Sequence, residues 1–299
     1  MSLRIDNVTK KFGDHIAVDN LQLEIPEKGL FGFLGGNGAG KTTTFRMILG
    51  LLDPTSGEIT WNGQKIDYGK SHLIGYLPEE RGLYPKLKVK DQLVYLGRLR
   101  GMRKSDIEAE MEYWLDRFEI PHYANKKVEE LSKGNQQKIQ FISAVIHRPS
   151  LLILDEPFSG LDPINVEMLK EAVIDLADDG TTIVFSSHQM EHVEEMCENI
   201  CILRAGKTVV KGNLAKIKQS FGKKNLNIYG DMPFDSLKTM PGVLRYQEVV
   251  GGCKLQIENE SVSQEILKSL SGKGFLRRFE LEEPTLNDIF IEKVGERYE

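Results

Sequence analysis

The sequence predicts an α/β protein in which helices cover a mainly parallel sheet, with antiparallel strands before it and a smaller α+β domain after it. Two observations predict the parallel sheet. An apolar strand at residues 30–34 runs into a glycine-rich loop that opens a helix, and strands and helices alternate between about residues 133 and 185. This alternation is typical of a sheet covered by its crossover helices. At 299 residues and 40% hydrophobic content, the chain can form one large domain and a second, smaller one.

The first elements are predicted to be antiparallel β-structure. Two strands are expected at residues 3–8 and 18–25, before the apolar strand. Further along, Asn62 and Gly63 stand between two short strand-like segments, and this dipeptide is the strongest short signal for a β-hairpin. A small antiparallel region should therefore precede and flank the parallel core.

The loop after residues 30–34 has the residue types of a phosphate-binding loop. Its glycines let backbone N–H groups turn inward, and the start of the next helix adds positive potential. Lys41 is placed to reach the outer phosphates of a nucleoside triphosphate, and the Thr42 hydroxyl to reach Mg²⁺. An ordinary glycine-rich turn is the alternative, but the flanking strand and a helix expected to end at residues 53–57 favour nucleotide binding. The predicted nucleotide contacts are Gly35, Gly36, Asn37, Gly38, Ala39, Gly40, Lys41, Thr42 and Thr43.

A helical insert is predicted at about residues 87–148, because apolar residues recur there at helical spacing. Its last helix begins near Lys133. Ser132 is a natural N-cap for this helix, and Gly134 would let an anion approach the backbone. The segment 131–137 is therefore either a second phosphate-binding helix start or an ordinary capped helix.

Two adjacent carboxylates follow the continuous apolar run at residues 151–154, which is typical of a buried parallel strand. Ligand sites in open α/β sheets lie at such strand ends. Asp155 is suited to hold Mg²⁺, directly or through water, and Glu156 to orient and polarise a water aimed at the terminal phosphate. A surface acidic turn is the alternative, and the buried strand before it disfavours that interpretation.

His188 also follows a predicted strand, at residues 181–185. Its imidazole would then lie at the same edge of the sheet as Asp155 and could bond to the γ-phosphate or to the attacking water. A lone histidine is more often structural. The repeated strand-end position favours a catalytic role here.

The region after Gly212 is predicted to be a separate accessory domain. Short strands there mix with one helix at residues 262–270, and no catalytic constellation is recognisable. We therefore divide the chain into residues 1–213, with the nucleotide site, and residues 214–299, a C-terminal α+β domain.

Composition limits the possible partners and compartments. A net charge of −5 and a pI near 5.8 give no footprint for sequence-independent binding to nucleic acid or to anionic lipid. No stretch approaches the ~20 apolar residues that span a bilayer, and the N-terminus lacks a signal peptide, so a cytoplasmic protein is expected. The three cysteines, Cys197, Cys201 and Cys253, cannot all pair with one another, and a cytoplasmic setting keeps thiols reduced. Cys197 and Cys201 are expected to be packed thiols.

Taken together, five motifs in this order resemble the ATP-binding subunits of ABC transporters. They are residues 35–42, 131–137, 151–157, 159–162 and His188. The resemblance covers about residues 1–213. It implies a P-loop NTPase fold of the ABC nucleotide-binding type, with an antiparallel β subdomain, a parallel-sheet core and a helical insert.

The resemblance also implies ATP and Mg²⁺ as ligands and two nucleotide-binding domains that enclose two ATP molecules. Ser132, Gly134 and Asn135 would then face the ATP held by another chain, in a homodimer or in a heterodimer with a similar subunit. Asp162 would lie at the dimer interface. Phe12 matches the aromatic position that stacks on adenine, whereas the alternative is a core phenylalanine of the first hairpin.

Three residues depart from the family pattern. Glu79 stands where glutamine is usual; its carboxylate can still offer oxygen to Mg²⁺ but adds negative charge beside a triphosphate. We expect Glu79 to sense the metal and to link it to the helical insert. Lys133 replaces the usual glycine and Asn135 the usual glutamine, and Lys133 either adds charge near the γ-phosphate or points to solvent.

Residues 77–84, 131–134 and the tail segment 283–290 look most like the ABC-2 group of exporters, such as sodium-efflux and drug-resistance ATP-binding subunits. This resemblance implies a separate ABC-2 type permease as partner, a peripheral position on the cytoplasmic face of the membrane through that permease, and no nucleic acid. The C-terminal domain would stabilise the dimer or regulate it. The alternatives are a soluble ABC ATPase that acts on ribosomes or DNA, and a nucleotide-triggered module without hydrolysis.

Overall fold

The computed structural model describes residues 2–66, 68–80 and 82–295. The chain divides into two compact units, Met1–Lys211 and Gly212–Glu299. Parts of the sequence predictions fall outside the described residues: Met1 and Asp67 of the predicted first domain, Arg81 in the segment 77–84, and the last four residues of the predicted C-terminal domain. Each unit has its own sheet structure and is described by itself.

The elements of the first unit are numbered in chain order. Its described strands are β1 Ser2–Phe12, β2 His15–Pro26, β3 Gly29–Gly35, β4 Ser56–Trp61, β5 Gln64–Lys65, β6 Ile74–Leu77, β7 Leu151–Asp155, β8 Thr182–Ser186, β9 Asn199–Arg204 and β10 Lys207–Asn213. Its described α-helices are α1 Lys41–Ile48, α2 Val89–Leu99, α3 Lys104–Arg117, α4 Lys133–Val145, α5 Pro163–Asp178 and α6 Met190–Met196. Short 3₁₀ helices lie at Tyr68–Leu73, Pro121–Tyr123 and Val128–Glu130.

The antiparallel sheet has the strand order β2-β1-β4-β5, so the predicted β region is present. Both long strands extend further than the sequence pattern indicated. Leu3, Ile5 and Val8 of β1 are fully buried, whereas Arg4 and Asn7 between them are exposed, as expected for a sheet with one face on the core. The extra length carries Phe12 to the open end of β1.

The central sheet has the order β10-β9-β3-β8-β7-β6. Strand β3 pairs in parallel with β8 and β9, and β7 pairs in parallel with β8 and β6. Residues of β7 and β8 are buried throughout, which explains their continuous apolar runs. Because Asp155 is in register with Ser186, the C-terminal ends of these strands lie at one edge. The expected parallel core is confirmed.

The helical insert contains α2, α3 and α4. Helices α2 and α3 are separated at Gly101, whose φ of +83° ends the first of them. Trp114 packs against Phe118 and Phe141 with ring centroids 5.9 and 5.7 Å apart. These aromatic contacts tie α3 to α4.

Some local predictions differ from the structure. Helix α1 ends at Ile48 rather than near residue 53, because Gly50 adopts φ +66° and stops the helix. Residues 74–77, which the family resemblance matched to a loop, form the edge strand β6 of the central sheet. Helix α6 was not predicted; its seven residues are too short for a clear period.

The second unit contains α7 Leu214–Ser220, β11 Lys224–Asp231, β12 Val243–Val249, β13 Gly252–Ile257, α8 Glu260–Leu270, β14 Phe275–Glu282 and α9 Leu286–Val294, with a 3₁₀ helix at Asp235–Thr239. Its antiparallel sheet has the order β12-β13-β11-β14. Ile228, Leu255 and Ile266 are among the residues that form a separate core under α8. This is α+β structure as predicted, although the sequence did not reveal β12, β14 and α9.

The composition led to expectations about the cysteines and about membrane-spanning segments. Cys197 and Cys201 are buried free thiols, as expected, and Cys253 is also buried and free. None of the described helices combines the length and apolar character needed to cross a bilayer.

Candidate functional site

The loop between β3 and α1 is shaped by two glycines that no other residue could replace without strain. Gly40 has φ +102°, and a Cβ there would lie 2.5 Å from the Ala17 carbonyl oxygen. Gly35 has φ +156°, and its Cβ would lie 2.7 Å from the Leu203 carbonyl oxygen. The loop is therefore pressed against β2 and β9, as a fixed cradle requires.

Lys41, the first residue of α1, lies inside this cradle. It is 8% exposed, and its Nζ donates to the carbonyl oxygens of Gly35 at 2.7 Å and Gly36 at 3.3 Å. Burial lowers the pKa of Lys41, while the charges of Glu156, Asp155 and Glu79 oppose this shift. No carboxylate within the described residues forms an ion pair with this ammonium group, so it can take an anionic ligand.

Asp155 ends β7 and is 2% exposed. Its Oδ1 accepts a hydrogen bond from Ser186 Oγ at 2.7 Å, and its Oδ2 accepts one from Thr42 Oγ1 at 3.2 Å. The carboxylate and the threonine hydroxyl thus meet at the start of α1. Hard oxygen donors of this kind are the ones Mg²⁺ uses, so the residues present fit the predicted metal.

Glu156 and His188 form a second pair at the same edge. The backbone N–H of His188 donates to Glu156 Oε2 at 3.1 Å, and His188 Nε2 lies 3.3 Å from Glu156 Oε1. That second contact lacks hydrogen-bond geometry, and Glu156 Oε1 is buried without a donor. Burial raises the pKa of Glu156, against the opposing effects of His188 and Lys41. An unsatisfied buried carboxylate oxygen calls for a partner such as water.

A cleft of about 440 Å³ contains these groups. Phe12 stands at its mouth with half of its surface exposed, and Lys10 Nζ lies 5.2 Å from the centre of its ring. Phe12 is therefore not a core residue of the first hairpin, which was the alternative to an adenine contact. The cleft is lined by Phe12, His15, Ala17, Gly36, Asn37, Gly38, Ala39, Gly40, Lys41, Thr42, Thr43, Glu79, Asp155, Glu156 and His188.

Glu79 follows β6 and faces the cleft with an exposed side chain. Gln140 of α4 holds the segment around it, because its Nε2 donates to the carbonyl oxygens of Pro78 at 3.0 Å and Glu80 at 3.2 Å. Gln92 of α2 accepts from the Tyr84 N–H at 2.7 Å. The segment that carries Glu79 is thus fastened to the helical insert at two points.

The residues at the start of α4 do not join this cleft within one chain. Ser132 caps the helix by accepting from the Asn135 N–H at 3.3 Å, and Lys133 is exposed. A Cβ at Gly134 would lie 3.2 Å from Asn165 Nδ2, so Gly134 permits close packing against α5. Asn165 is in turn held by Asp162, the N-cap of α5, whose Oδ1 accepts from the Asn165 N–H at 3.1 Å.

Sequence reasoning missed two supporting residues of the site. Ser186 donates to the Asp155 carboxylate and accepts from the backbone N–H of Glu156 at 3.1 Å, so it fixes the Asp155 carboxylate and the backbone of Glu156. Gln140 fixes the segment of Glu79. Ser186 stands at the end of a strand, as Asp155 does, and this shared position could have indicated its role from the sequence. The role of Gln140 could not be found in this way, because its partners are 60 and 62 residues away in the chain.

Comparison with known proteins gives matches in both units. The family model "ABC transporter" matches residues 18–159, and "ATP-binding protein DrrA1-3-like, C-terminal domain" matches residues 212–294. The chain is 66% identical over 297 residues to an uncharacterised ABC transporter ATP-binding protein of Bacillus subtilis (strain 168), covering 99% of this chain and 100% of the relative. It is 33% identical over 298 residues to the Nod factor export ATP-binding protein I of Cupriavidus metallidurans, covering 98% and 97%.

Solved structures give a consistent result. An ATP-binding subunit of an ABC transporter is similar with a TM-score of 0.70 and 28% identity, over 74% of this chain and 94% of that one. A dimeric ATP-binding cassette in a post-hydrolysis state, bound to ADP and Pi, is similar with a TM-score of 0.65 and 25% identity, over 71% and 98%.

Proposed function

This chain belongs to the ATP-binding proteins of ABC transporters, and we propose that Glu156 and His188 carry its ATPase chemistry and that it powers export through a separate ABC-2 type permease. The observation that supports the chemistry best is Glu156 Oε1, a buried acceptor without a donor that lies beside His188 in the phosphate-loop cleft. The family assignment makes the chain a nucleotide-using ATPase subunit of a transporter.

The phosphate loop would bind the triphosphate of ATP. Its N–H groups and the start of α1 provide positive potential. Lys41 already points its ammonium group at two loop carbonyls, and a triphosphate would replace those neutral acceptors with charged ones. Charged acceptors form hydrogen bonds about twice as strong as neutral ones. Phe12 offers an exposed ring for the adenine.

Thr42 and Asp155 would hold Mg²⁺, with Glu79 as a further oxygen donor. When bound, Mg²⁺ neutralises charge on the phosphate oxygens and orients them. Ser186 keeps Asp155 in place through the 2.7 Å hydrogen bond to Oδ1, which leaves Oδ2 directed at Thr42. Gln140 and Gln92 connect the Glu79 segment to the insert, and this connection supports a relay from the metal to α2 and α4.

Glu156 would orient and polarise the attacking water through its ionised carboxylate. Its raised pKa makes it a stronger base than an ordinary glutamate. His188 opposes the rise in the pKa of Glu156, which helps to keep Glu156 ionised, and its Nε2, 3.3 Å from Oε1, would place an imidazole next to the reacting phosphate.

The start of α4 would complete the site of a second chain. Ser132, Gly134 and Asn135 lie outside the cleft of their own chain, and their helix start can receive an anion. The similar cassette that is dimeric and bound to ADP and Pi supports this arrangement, with a homodimer or a heterodimer equally compatible.

The insert offers a surface for the permease. Tyr84, Leu87, Tyr95 and Leu99 are exposed by 39% or more, and Tyr84 and Tyr95 pack edge to face with centroids 6.2 Å apart. Exposed apolar clusters of this kind mark interaction sites. Through this contact the chain would sit on the membrane surface. The Nod factor export relative and the DrrA-like C-terminal match support export by an ABC-2 permease, with the C-terminal unit stabilising or regulating the dimer.

The catalytic part of the proposal is tested with Glu156→Gln. We expect ATP binding to be retained and hydrolysis to fall by about 10²–10⁴-fold, the contribution typical of a general base. Glu171→Gln, which changes an exposed carboxylate of α5, is the matched control and should keep full activity. Undiminished hydrolysis by Glu156→Gln would contradict the assignment.

The proposed role in export is tested by identifying the membrane protein that binds this chain. Purification of the tagged chain from membranes, with and without Tyr95→Ala and Leu99→Ala, should recover an ABC-2 permease only with the unsubstituted surface. Recovery of ribosomes or DNA instead, or of the permease by both forms alike, would overturn the proposed surface and partner.

A further inference from the structure

A second cleft of the first unit lies at the N-terminal ends of the parallel strands β7 and β8 and has a volume of about 740 Å³. Ser150 and Thr181, the residues just before β7 and β8, line it. Asp155 and Glu156, at the end of β7, line the nucleotide cleft instead. The two clefts are therefore separated by the length of the parallel strands.

Three parts of the first unit form its walls. Tyr113 and Trp114 come from α3 of the helical insert, Trp61 from the end of β4, and Asp175 and Asp179 from the end of α5. Tyr113 is 53% exposed, and its ring meets that of Trp114 edge to face with centroids 5.2 Å apart. The cleft thus has aromatic walls from the insert and from the antiparallel sheet.

The charged groups of the wall are mostly acidic. Four carboxylates and two guanidinium groups line the cleft: Glu27, Glu110, Asp175, Asp179, Arg117 and Arg148. Both arginines are already engaged, since Arg148 Nε donates to Glu110 at 2.7 Å and Arg117 pairs with Asp175. Lys28 reaches the same end of the sheet, with its Cε 3.6 Å from the Cβ position of Gly180. Even with Lys28 included, negative charge remains in excess.

Two polar groups of the wall remain unmatched within the described residues. Asp179 is exposed and no hydrogen bond or ion pair is found for its carboxylate. Trp114 is 4% exposed, and its Nε1–H has no acceptor. The Asp179 carboxylate can attract a cation, whereas the indole N–H is closed off from solvent and from a molecule in the cleft.

We propose that this cleft binds an aromatic organic cation. The volume is within the ~300–1,000 Å³ of small-molecule sites. Aromatic faces attract cations, and the excess carboxylates select a positive ligand over a negative one. A molecule bound there contacts the helical insert and the α/β core together, so it would restrain one against the other.

The two tryptophans of the chain, Trp61 and Trp114, both line this cleft, so they report on it directly. With ¹⁵N-labelled tryptophan, the spectrum contains two indole N–H signals. Propranolol, a naphthyl ether with an ammonium group, should shift both signals saturably. Naproxen, a naphthyl ether with a carboxylate, is the charge-reversed probe and should shift them far less.

Paired variants of the full chain test the charge. Asp179→Asn should weaken propranolol binding by about two- to fivefold, as expected for loss of one exposed charge. Asp178→Asn, at the neighbouring exposed position that does not line the cleft, should leave it unchanged. Equal shifts with both probes, no shift with propranolol, or equal loss in the two variants would overturn the proposal. None of these outcomes depends on ATP hydrolysis.

Discussion

The two units each contain a largely buried lysine, and the two side chains are held in opposite ways. Lys41 of the first unit is 8% exposed and donates to two backbone carbonyls, and burial lowers its pKa. The Lys224 side chain of the second unit is 12% exposed, but its Nζ lies 2.5 Å from Glu283 and 3.5 Å from Glu260. The hydrogen bond to Glu283 raises its pKa.

This difference distinguishes a ligand site from a structural contact. The charge of Lys224 is matched by carboxylates of its own unit, so it requires nothing further. The charge of Lys41 is matched incompletely, and Glu156 beside it keeps an oxygen without a donor. Buried groups that the protein leaves unsatisfied mark a place where a ligand supplies the missing partner.

The largest expected effect comes from removing the unsatisfied lysine. Lys41→Ala should lower ATP hydrolysis by about 10²-fold or more, because it removes a charge aimed at the outer phosphates. Lys224→Ala should leave hydrolysis within about twofold, since its charge serves the second unit only. Steady-state phosphate release from both variants measures the contrast. Similar losses in the two variants would remove the distinction between the lysines.

A smaller effect is expected from pH. Because burial raises the pKa of Glu156 and hydrolysis needs its ionised form, the rate should fall as pH decreases through this raised pKa. The acid limb should thus lie above the ~4.3 of an ordinary glutamate, with about a tenfold loss per pH unit below it. A limb at the ordinary glutamate value would contradict the proposed environment.

The same shift has a consequence for stability. A carboxyl with a raised folded pKa binds more protons in the folded state, so its contribution to stability falls as pH rises from the unfolded towards the folded pKa. Glu156→Gln should therefore raise the thermal midpoint at neutral pH, and the gain should disappear below the unfolded pKa. Thermal unfolding across this range measures it.

The smallest effect on activity should come from the core of the second unit. Ile266 of α8 is fully buried, so Ile266→Ala should lower the stability of that unit by about 2–5 kcal/mol. Leu267→Ala, at a position that is 44% exposed, should change it by less than about 0.5 kcal/mol. Both should leave ATP binding of the first unit within about twofold. Loss of ATP binding in step with unfolding would show that the two units are not independent in this respect.

The sequence predicted those elements whose causes are local. A strand, a glycine-rich turn and an amphipathic helix in succession identified the phosphate loop, and an aliphatic run before Asp155 and Glu156 identified the buried strand. The short helix α6 and the strands β12 and β14 were missed. Their patterns are short or mostly exposed, so their stability comes from neighbours rather than from their own period.

Residue types and spacing alone thus predicted a nucleotide-binding protein, the loop that would hold the nucleotide, and the two acids at the end of the buried strand β7. Only the tertiary structure decided how the acidic residues of the cleft are held. Ser186 bonds to Asp155, 31 residues away in the chain, and Gln140 bonds to Pro78, beside Glu79 and 62 residues away. The tertiary structure also decided that Phe12 is exposed at the cleft and that Trp61 and Trp114 both line a second cleft. Local patterns fix which groups a segment presents, whereas strand register and helix packing fix which distant groups meet, and these depend on the folded whole.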